Sequence, residues 1–286
     1  MDRSGNEIRQ NEAQDRVLSF LYQTALGRGL LSILVQPIIS KIAGVFLDHP
    51  ISKILIEPFV NKNNIQLSDF EKQEFYSYND FFTRKIKKEN RTIADKPNEL
   101  IAPCDGKLSV YSITEESTFK VKDTIYTMKS LVQSEKLAKR FEGGQLLLFR
   151  LTVDDYHRYC YIDAGEKTSN HYIPGVFHTV NPIANSVVPI YKENTREFSL
   201  LKSESFGTVL MMEVGALLVG RIVNYHEKAK VKRGEEKGRF EFGGSTVIIC
   251  LEKDCGIVDA DIMKNSLEEM ETVVKMGERI GETAVK

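Results

Sequence analysis

Residues Arg239–Cys250 read RFEFGGSTVIIC, a Gly-Gly-Ser-Thr turn between two runs of β-forming residues. Glycine at positions 243 and 244 allows strained backbone geometries that other residues resist, so the Ser245 hydroxyl could be pressed against the carbonyl carbon of Gly244. That geometry suits cleavage of the Gly244–Ser245 bond by the chain itself. The alternative is a plain hairpin, in which Thr246–Cys250 return as a strand. Such a short motif is common by chance, so the choice depends on what accompanies it.

The composition is that of an ordinary globular protein. The chain has 286 residues, of which 42% are apolar and 28% charged, enough for one large domain or two modest ones. A net charge of −1, without a basic run, argues against a nucleic-acid-binding protein. The four cysteines lack paired CxxC spacing, which indicates neither zinc nor a disulfide framework and favours a reducing compartment. Residues 1–16 are polar and contain acids, so we expect no cleaved targeting segment there.

Residues 17–46 form an apolar stretch, VLSFLYQTALGRGLLSILVQPIISKIAGVF, which a proline and several polar residues interrupt. A membrane-spanning helix needs about 20 continuous apolar residues. The interruptions instead predict two or three short helices in the lipid headgroup region, with Arg28 and Lys41 reaching water. The alternative is a pair of core helices, because an amphipathic stripe more often packs against its own protein. The stretch by itself leaves both interpretations open.

Strand signals dominate after Pro97. Segments such as KLSVYSIT, QLLLFRLTV and STVIICLE are rich in β-branched and aromatic residues, which predicts strands. Residues 51–92 mix helix and turn signals, and a capping pattern at 68–71 predicts a helix over EKQEF. Residues 261–272 predict one late helix. We therefore expect an α+β fold, with a helical region over residues 1–96, membrane-associating on the first of the two interpretations of the apolar stretch, and a mainly antiparallel β catalytic body over residues 97–286.

Two segments share the pattern V-K-x-G-E-x-x-G. They are Val231–Gly238 and Val274–Gly281. Glycine at the fourth position of each suits a tight turn. Both segments are therefore predicted to be turns between strands.

Further motifs precede the GGST turn along the chain, and the last of them ends with the turn itself. They are Ala102–Lys107 (APCDGK), Val153–Cys160 (VDDYHRYC), Phe177–Pro182 (FHTVNP), Glu213–Gly220 (EVGALLVG) and Arg233–Thr246 (RGEEKGRFEFGGST). This series is similar to that of phosphatidylserine decarboxylase proenzymes. The similarity covers residues 97–252 by motif and, more loosely, the apolar N-terminal stretch. Five separated motifs in one order make chance agreement much less plausible than any single motif does.

The resemblance implies an Asp-His-Ser arrangement for self-cleavage. A serine hydroxyl is a poor nucleophile near neutral pH, so Ser245 needs a base, and the base needs an orienting carboxylate. Asp105 of PCDG and Ser245 of GGST carry over directly from the family pattern, and the bond to be cleaved joins Gly244 to Ser245.

The histidine of the arrangement departs from the family pattern. Many members carry a second histidine three residues after the one in DYHR, and it is the second one that is credited with activating the serine. Here the two positions hold His157 and Cys160. Either His157 serves both self-cleavage and decarboxylation, which we favour, or His178 or another histidine supplies the base. Cys160 could act only as a thiolate with a lowered pKa.

The resemblance also implies a cofactor and partners. Self-cleavage would give a large subunit (1–244) and a small one (245–286), held together because the strands on both sides of the break share a sheet. Ser245 would become a pyruvoyl group that condenses with the amine of phosphatidylserine and acts as electron sink, so no added cofactor or metal is expected. His157 would protonate the resulting carbanion to give phosphatidylethanolamine. We expect a peripheral enzyme on the cytoplasmic face of a bacterial cell membrane; a homodimer is left open.

Three alternatives remain at this stage. A pyruvoyl-dependent decarboxylase of a soluble amino acid would have no use for the apolar N-terminal stretch. An unprocessed, non-catalytic lipid-binding protein of the same fold would explain the departure at Cys160. A lipoyl-like carrier or binding module rests on the V-K-x-G-E-x-x-G repeat alone. Arg158 and Arg196 are candidate anion contacts, since guanidinium groups suit phosphate and carboxylate.

Overall fold

The computed structural model describes residues 1–6, 12–121, 124–185, 187–217, 221–243 and 245–284. Two predicted features fall partly outside these ranges. Gly244, on one side of the bond predicted to be cleaved, is outside them, and so are residues 218–220 at the end of EVGALLVG. The helices, strands, sheets and contacts given below are those of the described residues.

Helices form the N-terminal part of the chain and connect several later strands. They are α1 (Glu12–Gln23), α2 (Ala25–Leu34), α3 (Pro37–Asp48), α4 (Ile56–Asn63), α5 (Tyr78–Phe82), α6 (Met128–Val132), α7 (Glu135–Arg140), α8 (Pro182–Asn185), α9 (Ile190–Glu193) and α10 (Ala260–Leu267), with 3-10 turns at Pro50–Leu55, Leu67–Asp69 and Lys88–Asn90. The late helix predicted within residues 261–272 is confirmed as α10, although the chain returns to a strand at Thr272.

The strands begin at Glu99. They are β1 (Glu99–Ile101), β2 (Gly106–Ser112), β3 (Thr118–Val121), β4 (Thr124–Thr127), β5 (Gln145–Leu151), β6 (Arg158–Cys160), β7 (Gly165–Lys167), β8 (His171–Ile173), β9 (Arg196–Ser203), β10 (Thr208–Gly215), β11 (Arg221–Asn224), β12 (Ala229–Val231), β13 (Glu236–Glu241), β14 (Ser245–Leu251), β15 (Ile257–Val258), β16 (Thr272–Val274) and β17 (Arg279–Glu282).

The strands form one large sheet and three small ones. The large sheet has the order β12-β7-β9-β10-β14-β5-β2-β16, with β8 also paired to β9. The small sheets are β1-β17-β15, β11-β13-β6 and β3-β4. The ladders between these strands are antiparallel. The predicted α+β class with mainly antiparallel sheets is therefore confirmed.

The central strand β14 is buried along its whole length. It lies between β10 and β5, so neither edge is free, and both faces are covered by other parts of the fold. Its sequence, STVIICL, fits this position, because a strand that is buried on both faces has a continuous apolar run rather than alternating polar residues. Ser245 and Thr246 are the exceptions, at the end of the strand that follows the glycines.

The N-terminal helices have one buried side and one exposed apolar side. One side of α1 and α2 packs into the main hydrophobic core through Leu18, Tyr22 and Leu31. The other side is exposed, with Leu26 at 77% of its full accessibility and Val45 of α3 at 74%. In the described residues, no single helix is long and apolar enough to cross a membrane. Residues 16–23 of α1 and helix α2 are together long and apolar enough, but they are bent by 98° relative to each other.

The helix predicted over EKQEF is wrong. Residues 67–69 form only a 3-10 turn, and the chain then runs without helix to Ser77. Tertiary contacts override the capping pattern here. Phe70 pairs with Ile86 as an isolated antiparallel bridge, and the Glu71 N–H donates to the Lys85 carbonyl at 2.8 Å. These bonds hold the segment extended.

The repeated V-K-x-G-E-x-x-G pattern forms two matching turns between strands, as predicted. Gly234 and Gly277 have φ values of +71° and +84°. In each turn a glutamate, Glu235 or Glu278, accepts the N–H of the lysine three residues earlier. Both glycines contact Ile93, and a Cβ on either one would meet that side chain. The repeat is therefore explained by turn geometry and by shared packing on Ile93.

Candidate active site

The GGST turn is a corner between two sheets. The strand before it, β13, pairs with β11 and β6, whereas β14 pairs with β10 and β5. The plain-hairpin interpretation is therefore wrong, because the two strands do not pair with each other. Strands on both sides of the break nevertheless share a sheet, as expected, because β14 follows the break and its partners β10 and β5 precede it. Gly243 at the corner has a φ of +118°, a conformation that L side chains rarely adopt.

Ser245 is fully buried at the start of β14. It lies opposite Gly215 of β10 on one side and Leu151 of β5 on the other. Its Oγ has no hydrogen-bond partner among the described residues. A buried hydroxyl without a partner is unfavourable, and such atoms are concentrated where chemistry takes place. The hydroxyl next to the predicted cleavage point is thus available for reaction.

His157 is held close to this corner. Its carbonyl oxygen accepts the Phe240 N–H of β13 at 2.9 Å, and its ring lies 4.2 Å from that of Phe82, centroid to centroid. The ring is buried, and its Nδ1 lies 2.9 Å from the Asp155 carbonyl oxygen. The Nε2 atom has no hydrogen-bond partner among the residues that the structure describes.

The electrostatics keep His157 neutral. Burial lowers the pKa of His157 to about 4, an effect that Asp155 and the Gly243 carbonyl oppose only in part. At neutral pH the ring therefore carries one proton. Nδ1 faces the Asp155 carbonyl oxygen, which can only accept, so the tautomer with its proton on Nδ1 satisfies that contact and leaves a lone pair on Nε2. This is the form in which a histidine acts as a base.

Asp105 contacts neither His157 nor Ser245 through a hydrogen bond. Its carboxylate accepts bonds from Arg91 and, at 2.9 Å, from the Met276 N–H. Burial raises the pKa of Asp105, and the positive charge of Arg91 opposes that shift. Asp105 instead lies beside the position where the family pattern has its second histidine, because the Cys160 N–H donates to the Pro103 carbonyl at 2.8 Å.

Cys160 does not meet the condition for a thiolate base. It is buried, and burial raises its pKa to about 12, with the charges of Glu236 and Asp105 acting in the same direction. A lowered pKa would be needed for a thiolate at neutral pH. The thiol is therefore protonated in this environment.

His178 is turned toward the N-terminal helices. Its Nδ1 lies 3.3 Å from the hydroxyl of Tyr22 in α1, and its Nε2 lies 3.7 Å from Glu193. The backbone around it is nevertheless close to Ser245, since Asn194 donates to both the His178 and the Gly215 carbonyls at 2.8 Å. Its ring is thus engaged elsewhere, while its backbone supports the strand opposite Ser245.

The two candidate anion contacts already have protein partners. Arg196 is buried and donates to the carbonyl oxygens of Leu131, Lys192, Asn194 and Ser130. Arg158 donates to the carbonyls of Thr83 and Arg84 and to the Glu236 carboxylate. Both side chains tie separate segments together, which is a structural role.

A buried charged network near Ser245 was not predicted. Lys237 of β13 donates to Glu213 of β10 at 2.7 Å, and both side chains are fully buried. Asn224 of β11 donates to Glu213 and to Glu197 of β9 and accepts from Lys237. The signal was present in the sequence, because a single carboxylate in the apolar strand MMEVGALL needs a partner if it is buried.

Comparison with known proteins identifies the family of the chain. The family model described as phosphatidylserine decarboxylase matches residues 78–282. The chain is 46% identical over 267 residues to phosphatidylserine decarboxylase proenzyme 2 of Clostridium acetobutylicum, covering 93% of this chain and 91% of the relative. It is 41% identical to the phosphatidylserine decarboxylase proenzyme of Clostridium botulinum over 94% of this chain and 93% of that protein. The Clostridium tetani proenzyme is 40% identical, with 93% and 92% covered.

Proposed function

Because this chain belongs to the phosphatidylserine decarboxylase family, we propose that it converts phosphatidylserine to phosphatidylethanolamine with a pyruvoyl group made from its own Ser245. The observation that carries the proposal is the Ser245 hydroxyl, which is buried and has no hydrogen-bond partner among the described residues. It directly follows two glycines, and Gly243 has a positive φ. These features fit a serine that attacks the preceding carbonyl.

His157 is the base in this proposal. The Ser245 Oγ attacks the Gly244 carbonyl carbon and its proton passes to the His157 Nε2, which is supported by the neutral ring and the free lone pair. The acyl group moves from nitrogen to oxygen. β-Elimination from the resulting ester leaves a carboxylate at residue 244 and dehydroalanine at residue 245, whose imine tautomer reacts with water to release ammonia and leave a ketone. No bond to Ser245 Oγ has to be broken first, so the buried hydroxyl is ready to react.

The same residues would act in decarboxylation. A pyruvoyl group supplies a ketone that condenses with the substrate's amine and accepts electrons as CO₂ leaves. His157 would take a proton from water onto Nε2 and pass it to the carbon that has lost CO₂. The cleaved chains would stay together because β14 of the small subunit pairs with β10 and β5 of the large one.

The apolar surface of the N-terminal helices supports action at a membrane. Most of the exposed large apolar side chains among the described residues lie between positions 17 and 55. Surfaces of this kind on soluble domains mark partners or membranes. Phosphatidylserine stays in the bilayer through its acyl chains, so we assign this surface to a peripheral contact with the cytoplasmic face of a bacterial cell membrane.

Intact-mass spectrometry of the purified protein tests the proposal. The wild-type chain should give residues 245–286 as a fragment with a ketone at its blocked N-terminus, and Ser245→Ala should stay whole. Ser199→Ala is the matched control, because Ser199 is also a buried serine whose hydroxyl has no partner among the described residues; it should cleave normally. A wild-type chain that stays whole in the presence of phosphatidylserine vesicles would overturn the proposal.

Two other functions predict different results for self-cleavage, vesicle binding and CO₂ release. An unprocessed lipid-binding protein of the same fold would bind vesicles without cleavage, and the absence of a second histidine at Cys160 is its main support. A decarboxylase of a soluble amino acid would cleave itself but would release CO₂ from the free amino acid as fast as from lipid. The exposed apolar surface favours the lipid substrate over this alternative.

A further inference from the structure

Glu213 lies on the same face of the large sheet as Ser245. In the ladder between β10 and β14, Gly215 is opposite Ser245 and Glu213 is opposite Val247, without a register shift. Alternate residues of a strand point to the same face. Glu213 and Ser245 are therefore diagonal neighbours on adjacent strands, with Cα atoms roughly 7–8 Å apart, within reach of a long side chain.

One oxygen of the Glu213 carboxylate is free. Its Oε2 accepts bonds from Lys237 and Asn224, whereas Oε1 is buried without a partner among the described residues. A buried carboxylate oxygen that lacks a hydrogen-bond donor is costly, unless a ligand supplies the donor. Glu213 and Ser245, which carry these two unpaired oxygen atoms, point to the same face of the sheet.

The buried network already contains positive charges. Its hydrogen-bonded members are Glu213, Glu197, Lys237 and Asn224. Lys237 pairs with Glu213, and the buried Lys167 lies within electrostatic range of both carboxylates, so the network does not need a further counter-charge. What Glu213 lacks is a hydrogen-bond donor to Oε1. A ligand ammonium group can supply that donor.

We propose that Glu213 receives the ammonium group of phosphatidylserine and takes its proton, so that the free amine can attack the ketone at residue 245. This inference rests on the proposed function and adds the residue that recognises the amine. Phosphatidylserine carries a single ammonium group, and this nitrogen must be neutral before it can act as a nucleophile. Ser245 and Glu213 are both fully buried, so an amine that reacts at residue 245 must enter the region that contains Glu213.

Glu213 accepts one proton and gives it back during the condensation. The carboxylate takes one proton from the ammonium, and the neutral nitrogen bonds to the ketone carbon. The bound nitrogen gives a second proton to the ketone oxygen, Glu213 returns the first one to it, and that oxygen leaves as water while the nitrogen keeps its third proton. Glu213 is a carboxylate again at the end. No oxidant, reductant or further reactant is involved.

The experiment follows condensation rather than decarboxylation. Cleaved wild type and Glu213→Gln are incubated at pH 7 with short-chain phosphatidylethanolamine and cyanoborohydride, which reduces the condensed pair to a stable secondary amine. The mass of the small subunit reports the rate. We expect Glu213→Gln to be slower by about 100-fold, the size typical of a lost acid–base group. A rate equal to that of wild type would overturn the proposal.

Two controls separate this inference from the proposed function. Hydroxylamine is already neutral at pH 7, so it should label the ketone equally in wild type and Glu213→Gln. If neither protein is labelled, the ketone is absent and the proposed function fails. Glu197→Gln removes a charge from the same network one strand farther from Ser245, and should slow trapping much less than Glu213→Gln. Equal slowing would mean that the change in net charge causes the slower trapping, and it would overturn the role of Glu213.

A second variant distinguishes the loss of the Glu213 carboxylate from a loss of folding. Removing one partner of a buried ion pair leaves the other charge unpaired, whereas removing both is often tolerated. Glu213→Gln/Lys237→Met takes away both charges of the pair. It should melt cooperatively, cleave itself and react with hydroxylamine, yet trap the phosphatidylethanolamine amine as slowly as Glu213→Gln. Trapping at the wild-type rate in this double variant would also overturn the proposal.

Discussion

The imidazole of His157 packs against the ring of Phe82, with centroids 4.2 Å apart and ring planes at 40°. This contact excludes water from the ring, and burial is the main reason why the pKa of His157 falls to about 4. A histidine accepts a proton only while it is neutral, which here means above about pH 4.

The pH dependence of self-cleavage follows from this low pKa. We expect the rate to be flat from pH 8 to pH 5 and to fall as the pH drops through about 4. The rate is measured by mass spectrometry on freshly refolded chain. A histidine with an ordinary pKa would already lose activity near pH 6.5. A fall centred there would show that the ring is exposed to water before cleavage.

The stability of the uncleaved chain should depend on pH through the same residue. The folded pKa of His157 lies below the unfolded value, so the unfolded chain binds more protons between about pH 6.5 and 4. Stability is therefore lost as the pH falls through this window, by roughly 3 kcal/mol in total. Urea unfolding of Ser245→Ala and Ser245→Ala/His157→Gln across this range measures the contribution, and equal pH slopes would contradict it.

Replacing His157 tests whether it is the base for self-cleavage. We expect His157→Ala to remain uncleaved over times in which wild type is fully processed, because loss of a general base slows a reaction by about 10²–10⁴-fold. The matched control is His171→Ala, since His171 is an exposed histidine on β8; it should cleave normally. Full cleavage of His157→Ala would move the base to another residue.

Cys160→His should accelerate self-cleavage. The new imidazole would stand beside Asp105, which already lies near this position through the bond from Cys160 to Pro103. Cys160 is buried, so the larger side chain should lower stability by about 1–3 kcal/mol. Cys160→Ser controls for loss of the thiol at similar volume. If Cys160→His folds but cleaves no faster than Cys160→Ser, Asp105 does not orient a base at this position.

Tyr22 links helix α1 to the loop beside the site. Its hydroxyl accepts the Thr179 N–H at 3.0 Å and lies 3.3 Å from the His178 Nδ1. Tyr22→Phe would leave that buried N–H without a partner, which costs about 1–3 kcal/mol. Thermal unfolding of uncleaved Ser245→Ala chain should show the loss, whereas Tyr76→Phe, at an exposed tyrosine, should show none.

Local sequence patterns predicted the elements of the fold better than their arrangement. Runs of β-branched and aromatic residues gave the strands, and the glycines at 234 and 277 marked real turns. The pairing of β13 and β14 with different sheets could not be predicted, because pairing depends on long-range contacts that leave no local pattern. The EKQEF helix failed for the same reason, since its segment is held by Ile86 and Lys85.

The sequence could predict those parts of the site that depend only on the chemistry of a single residue. Ser245 and His157 each end with a free polar atom near the corner, in keeping with their predicted roles, which remain proposals. The position of Asp105 beside Cys160 rather than His157 required the structure, because it depends on how residues 103–105 pass β6. Lys237 and Glu213 meet across two sheets, a contact that no spacing in the sequence indicates.

The exposed face of helix α3 provides the test of membrane contact. Ile42 and Val45 are exposed apolar residues, at 60% and 74% of full accessibility. Ile42→Asp/Val45→Asp should weaken binding to phosphatidylserine vesicles by at least about 10-fold, because two apolar contacts are lost and two anions face anionic lipid. Decarboxylation of a short-chain, water-soluble phosphatidylserine should remain near the wild-type rate, since these residues lie outside the site.

Leu267→Asp provides the matched control for that variant. Leu267 is also an exposed apolar residue, at 81%, but it ends helix α10, far along the chain from the N-terminal helices. Its replacement adds a negative charge without touching the proposed membrane surface, so vesicle binding measured by flotation should change little. Equal weakening by both replacements would mean that net charge, and not the apolar face of α3, determines binding. Unchanged binding of the α3 variant would exclude α3 as the contact.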